Sequence, residues 1–220
     1  MIAPNLISDA IQPLHTDDSG EDALLKMREY NLNQLPVVTG RAYTGIVTLE
    51  EIVHSKQLQR PLLEIIKKFR QPQVLTTAHI FDVMKAAVEY NVRIVPVVNE
   101  EQTYIGLVTA ESCLRSFAVL NSLTEPGGTI ELEIEKKDYR VSELARIVEE
   151  NEAEILCLYS HRNPETHLME ITIKVNTTDI SAIVSSFERY NYEVKSVYNE
   201  VEYSEDLKDR YDALMRYLNV

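Results

Sequence analysis

Two stretches of this chain deliver a hydroxyl to the start of a helix. They are Thr48-Leu-Glu-Glu51 and Thr109-Ala-Glu-Ser112, each preceded by a Gly-apolar-Val run: Gly45-Ile-Val-Thr48 and Gly106-Leu-Val-Thr109. A helix entrance with a free hydroxyl is an available anion site, because its first backbone N–H groups lack partners. The same residues also have a local use. Thr48 and Glu51 fit a capping box, which contributes about 1 kcal/mol to a helix. Ser112 is too short to complete the reciprocal box, so Thr109 reads as a plain N-cap or as an anion contact. Arg93 and Arg115 lie near the second stretch, either as phosphate partners or as ordinary surface charge.

Other reactive side chains assemble into less. His161 and His167 flank the turn RNPET without a Cys or third His to complete a metal set, so they read as a solvated loop. Cys113 and Cys157 sit in apolar company, as core thiols do. No nucleophile elbow, zinc-protease, Walker or dinucleotide fingerprint is present, which predicts a protein that is not an enzyme. The net charge of −13 argues against a nucleic-acid or acidic-membrane surface. The N-terminal MIAPNLISDAI lacks a basic stretch before an apolar core and no run reaches the length of a membrane span, so a cytoplasmic location is expected.

The elements around the two threonines repeat. YNLNQLPVV (30–38) and YNVRIVPVV (90–98) match at five of nine positions at an offset of 60. An amphipathic helix precedes each phrase, with Ala23, Leu24, Met27 and Tyr30 on one face of the first and Ile80, Val83, Met84, Ala87 and Val88 on that of the second. A strand, a hairpin, a second strand and a helix follow in both. The offset becomes 61 at the Gly-apolar-Val-Thr runs, which one extra residue in the second hairpin loop explains. Helix, strand, strand and helix recurring in order constitute an internal repeat. Between the copies, Pro61 opens PLLEIIKKF, whose Leu62, Ile65, Ile66 and Phe69 predict a packed linker helix.

TEPGG at 124–128 breaks the pattern. Beyond it the order is strand (129–135), helix, strand, hairpin, strand, helix, strand, the β-α-β-β-α-β order of a ferredoxin-like domain. A last segment, 203–220, places Leu207, Tyr211, Leu214, Met215 and Leu218 on one stripe and predicts an amphipathic helix behind an N-cap at Ser204.

The repeated frame resembles the cystathionine-β-synthase (CBS) domain, in tandem. The residues carrying the likeness are the helix ending at Tyr30-Asn31, Leu35-Pro36-Val37-Val38, Gly45-Ile-Val-Thr48 and their counterparts through Thr109. The region 129–200 resembles an ACT-like domain, and the combination is similar to the acetoin-utilisation-protein family. The expected fold is therefore α+β: CBS repeats at 1–60 and 61–124, an ACT-like βαββαβ domain at 129–202, and the helix 203–220. The resemblance implies a regulatory module that binds an adenine nucleotide (AMP, ADP or ATP) or S-adenosylmethionine between the repeats, without a metal. Adenine would meet the backbone near Leu32 and Pro36 in the first copy, or Val92 and Pro96 in the second. Thr48 or Thr109 would meet phosphate, the second copy being preferred. The family's ribose-binding Asp is replaced by Glu51 and Ser112. At the ACT-like turn Asp138 fits the family pattern, but Tyr139, Arg140 and Val141 stand where Arg, Pro and Gly are common, which disfavours a free amino acid there. The expected partners are a second copy of the chain and an unidentified regulated protein. The alternative is a ligand-free dimerising scaffold, with a link to acetoin metabolism in either case.

Overall fold

The computed structural model describes residues 1–8, 10–66, 68–199 and 215, so the predicted helix 203–220 falls outside the described residues apart from Met215. The chain divides into two compact units, Met1–Phe117 and one that starts at Ala118. The architecture is mixed α and β, with two three-stranded sheets and one four-stranded sheet.

In the first unit, strand β1 (Leu14–His15) runs parallel to β2 (Gln34–Thr39), which pairs antiparallel with β3 (Ala42–Thr48). Helix α1 (Gly20–Glu29) precedes the hairpin and α2 (Leu49–Ser55) follows it. After the one-turn α3 (Leu62–Ile65), the second copy repeats the plan with β4 (Val74–Leu75), α4 (Ile80–Glu89), β5 (Ile94–Val98), β6 (Tyr104–Thr109) and α5 (Ala110–Leu120). Capping boxes start both lead helices: Ser19 with Asp22 at α1, and His79 with Asp82 at α4. The Asn of each repeated phrase ends the helix it follows. Asn31 (φ 53) and Asn91 (φ 51) adopt the left-handed conformation, which Asn tolerates better than most residues. The next amides, of Leu32 and Val92, then bond back to the Met27 and Ala87 carbonyls.

Each lead-in segment packs on the other copy. Ala3 and Leu6 belong to the core formed by Ile80, Val83, Val95 and Val108, whereas Leu62 and Ile66 join the core of Leu14, Met27, Leu35 and Val47. The exchange is reciprocal: Ser8 N–H donates to the Leu107 carbonyl, and Ile46 N–H donates to the Arg70 carbonyl. Burying a leucine contributes roughly 2 kcal/mol, so neither copy has a complete core without its twin's lead-in. The linker consequently differs from the packed helix expected over 61–69. Only one turn forms, and Arg70 then makes an isolated backbone bridge to Ile46. On α4, Val88 is 80% exposed while Ala86 is buried. The buried arc centres near Val83, and five residues further on, at about 100° each, Val88 points roughly 140° away.

In the second unit, β7 (Gly128–Ile134), α6 (Val141–Glu149), β8 (Ile155–Arg162), β9 (Met169–Val175), α7 (Ser181–Arg189) and β10 (Glu193–Asn199) form the expected β-α-β-β-α-β order. The sheet order is β10-β7-β9-β8 and every pair is antiparallel, which is the ferredoxin-like arrangement. Alternating residues of β7 (Ile130, Leu132) pack with Leu144, Ile147 and Phe187 of the helices.

Candidate functional site: the clefts of the repeat pair

Strand β3 delivers Thr48 to the start of α2, and the capping box forms in full. Thr48 N–H and Oγ1–H both donate to Glu51 Oε2, at 2.8 and 2.9 Å, and the Glu51 amide donates back to Thr48 Oγ1 at 3.2 Å. These are the contacts the local reading requires. The residues nevertheless line open space. A cleft of about 660 Å³ brings Thr48, Glu51 and His54 together with Ile66, Lys68 and Arg70 of the lead-in to the second copy. An adjoining cleft of about 290 Å³ places Thr48 and Arg70 with Asn33, Gln34 and Asn91. A third, of about 490 Å³, is mostly apolar: Leu24, Leu32, Leu49 and Val53 line it together with Arg28 and Arg93. It shares Asn33 and Leu49 with the second, so an apolar end at Leu32 grades into a polar, cationic end at Thr48 and Arg70.

The second copy is built differently. Thr109 Oγ1 donates to Ser112 Oγ at 3.0 Å, and the Ser112 amide donates to Thr109 Oγ1 at 3.0 Å. The short serine thus makes a side-chain bond where only a plain N-cap was expected. Val92 is 6% exposed and belongs to the core, and Pro96 is buried in β5 opposite Leu107, so these side chains are packing groups and only their backbone could meet a ligand. Pro36 is likewise buried, in β2 opposite Ile46. It lies one residue before the pairing with β1 begins, so its missing N–H breaks no bond on that side. Of the two arginines expected beside the second threonine, Arg115 pairs with Glu111 at 2.9 Å on the exposed face of α5. Arg93 faces the first-copy apolar cleft instead.

Sequence reading missed Arg70, Lys68, Gln34 and Asn91. The signal for the first two was the basic run KKFR at 67–70 in an otherwise acidic chain. Their proximity to Thr48 follows only from the crossing of the lead-in over β3. Gly45 (φ +151) sets that crossing: a Cβ there would lie 2.5 Å from the Arg70 carbonyl oxygen and 2.5 Å from Phe69 Cβ.

In the second unit a cleft of about 450 Å³ is lined by Glu133, Glu135, Asp138, Glu143 and Glu193 around Arg140. Burial, with Glu143 beside it, pushes the Tyr192 hydroxyl up to about 12. This electronegative wall disfavours an anionic ligand. His161 pairs with Glu170 at 3.2 Å, and Glu170 also accepts from Lys195 and Asn163. Among the described residues no group of three or more His, Cys, Asp or Glu side chains is placed to hold a metal ion. No helix of the described residues is long and apolar enough to cross a membrane.

Comparison with known proteins agrees with the repeat architecture. The CBS domain model matches residues 5–57 and 70–119. Inosine-5′-monophosphate dehydrogenase from Korarchaeum cryptofilum is 31% identical over 109 residues, 48% of this chain and 22% of that protein, so the chain spans about a fifth of the curated relative it matches. Among solved structures, a CBS domain pair/ACT domain protein from Thermotoga maritima superposes with a TM-score of 0.50 at 18% identity, covering 54% of this chain and 98% of the other. A candidate acetoin utilization protein from Vibrio cholerae gives 0.49 at 16% identity, covering 56% and 95%. The chain carries a tandem pair of CBS domains.

Proposed function

We propose that the tandem CBS pair is the sensing part of a regulatory protein with no chemistry of its own, and that it takes an adenine nucleotide or adenosyl compound in the clefts between its repeats. The observation that carries this reading is the convergence in one cleft system of Thr48 from one repeat, Arg70 from the lead-in of the other and the apolar wall around Leu32. An apolar wall suits a purine face, and a hydroxyl with a guanidinium suits phosphate. The proposed contacts are Leu32, Pro36, Thr48 and Glu51 in the first copy and Val92, Pro96, Thr109 and Ser112 in the second. The cations favour the first copy, in place of the second-copy preference expected from sequence. The βαββαβ domain, read as ACT-like, and the segment 203–220 would pass the state of the pair to a second copy or a regulated protein. Such coupling is bounded by the ligand's differential affinity for two states, typically about 1–3 kcal/mol.

The test is calorimetric titration of nucleotide-stripped protein with AMP, ADP, ATP, NAD and S-adenosylmethionine. Saturable binding that weakens in Thr48→Ala supports the reading. Silence at millimolar concentrations of all five ligands overturns it and leaves the ligand-free dimerising scaffold.

A further inference from the structure

We infer that Arg70 is a pre-positioned receptor for one phosphate, and that it makes the first-copy cleft select nucleoside phosphates over uncharged nucleosides; this rests on the nucleotide reading above. The side chain is held before any ligand arrives. Its Nη2 donates to the carbonyl oxygen of Tyr90 at 2.5 Å, and Tyr90 is the C-cap of α4. A cation at a helix C-terminus is favourable there, because the last carbonyls carry partial negative charge. The backbone is held as well, through the Ile46 N–H bond to the Arg70 carbonyl at 2.8 Å.

A guanidinium has five N–H donors. One is committed to Tyr90, and the others have no partner among the described residues, although Arg70 lines both clefts that contain Thr48. The remaining edge therefore faces open space with its orientation set, so binding an anion costs less side-chain entropy than recruiting a free arginine. Lys68 adds a second positive charge in the larger cleft. The carboxylates nearby are accounted for: Glu51 is engaged by Thr48, and Glu50 faces His54 at 3.9 Å. Two cations against two carboxylates suit one compact phosphate better than a long polyanion.

The arrangement also has a consequence for coupling. A phosphate drawn to Arg70 contacts a side chain that caps a second-repeat helix, so the ligand in the first-copy cleft is felt at Glu89 and Tyr90 through Arg70, besides any direct contact with Asn91, which lines the smaller cleft.

The experiment compares adenosine with AMP on the full chain, for wild type, Arg70→Gln and Arg70→Lys, with hydrogen exchange followed at residues 89–92. AMP should bind wild type more tightly than adenosine does. Arg70→Gln should lose about ten- to a hundredfold in AMP affinity and leave adenosine affinity within about twofold. Arg70→Lys should fall between, since it keeps the charge and loses the planar fork. Adenosine binding by the variants reports that the cleft is intact. AMP should alter exchange at Glu89 and Tyr90 in wild type and not in Arg70→Gln, whereas Asn91, which lines the smaller cleft, can respond in both. If AMP binds wild type and Arg70→Gln equally, the Arg70 assignment is wrong while the nucleotide reading stands. If wild type binds neither ligand, both are wrong.

Discussion

Thr48 and Thr109 cap equivalent helices at equivalent strand ends, yet Thr48 donates to a carboxylate and Thr109 to a serine hydroxyl. The contrast extends along the two copies. Asp18 and Lys26 form an ion pair at 2.9 Å in the first, where the second carries Ala78 and Ala86. Arg70 and Lys68 approach the first-copy cleft from the lead-in, while Ile7 and Ser8 make the reciprocal crossing at the second. One backbone plan thus supports a charged copy and an apolar one. A repeat pair need not duplicate its chemistry: the shared residues hold the frame, and the residues that differ assign the roles.

The largest expected asymmetry lies at the two crossings. Gly45→Ala forces a Cβ against backbone and Phe69 at a φ of +151, whereas Gly106→Ala presses on the Ile7 side chain, which can rotate. Urea unfolding should show a loss of roughly 3 kcal/mol for the first and about 1 kcal/mol for the second. Equal losses would mean that the crossings are equivalent and that the first is not backbone-limited.

A smaller difference is expected at the stacked pair Tyr43 and Tyr104, whose rings lie 6.3 Å apart. Tyr43 OH donates to the Pro72 carbonyl at 2.8 Å, while the buried Tyr104 hydroxyl has no partner among the described residues. Burial pushes both phenols well above their ordinary range. Tyr43→Phe should cost about 1–2 kcal/mol by thermal denaturation, because it orphans a buried carbonyl. Tyr104→Phe should be neutral or slightly stabilising. A matching loss in Tyr104→Phe would show that its hydroxyl is satisfied after all.

The smallest effect is electrostatic and confined to the first copy. Burial alone would raise the Asp18 carboxyl, but the His15 amide and the Lys26 ammonium more than offset that and hold it below its ordinary 3.8. A depressed carboxylate stabilises the fold above its unfolded pKa, and that stabilisation is lost as the pH falls through the lower folded value. Wild type should therefore lose a contribution of under about 1 kcal/mol on acidification from about pH 5 to pH 3. Asp18→Asn should lack that increment at every pH. A pH dependence identical in both proteins would remove the ion pair from the account of how the copies differ.

The repeat, the two helix caps and the second unit's alternating strands were legible because each depends on spacing within a dozen residues. Asn31 and Asn91 end their helices for a reason local to Asn, and Ile130 and Leu132 alternate as any half-buried strand does. Val88 and the linker were misjudged for one reason. A periodic stripe marks which residues can be buried, but the centre of the buried arc depends on what packs there. Leu6, from the first copy's lead-in, helps set that centre in the second copy's core. Likewise, nothing in Pro61–Phe69 announces that the helix stops at Ile65 and that Arg70 then pairs with Ile46.

By itself, then, the sequence determined the two-copy frame, the β-α-β-β-α-β order and the pairing of Thr48 with Glu51, because these rest on residue periodicity and short-range hydrogen bonds. Only the tertiary structure decided that each lead-in completes the other copy's core. That exchange carries Arg70 to the Tyr90 carbonyl and into the cleft at Thr48. The physical reason is that chain crossings are selected by the burial of Leu62 and Ile66, whose spacing reads equally well as a continuous helix, and by the absence of a side chain at Gly45, which a local pattern does not interpret.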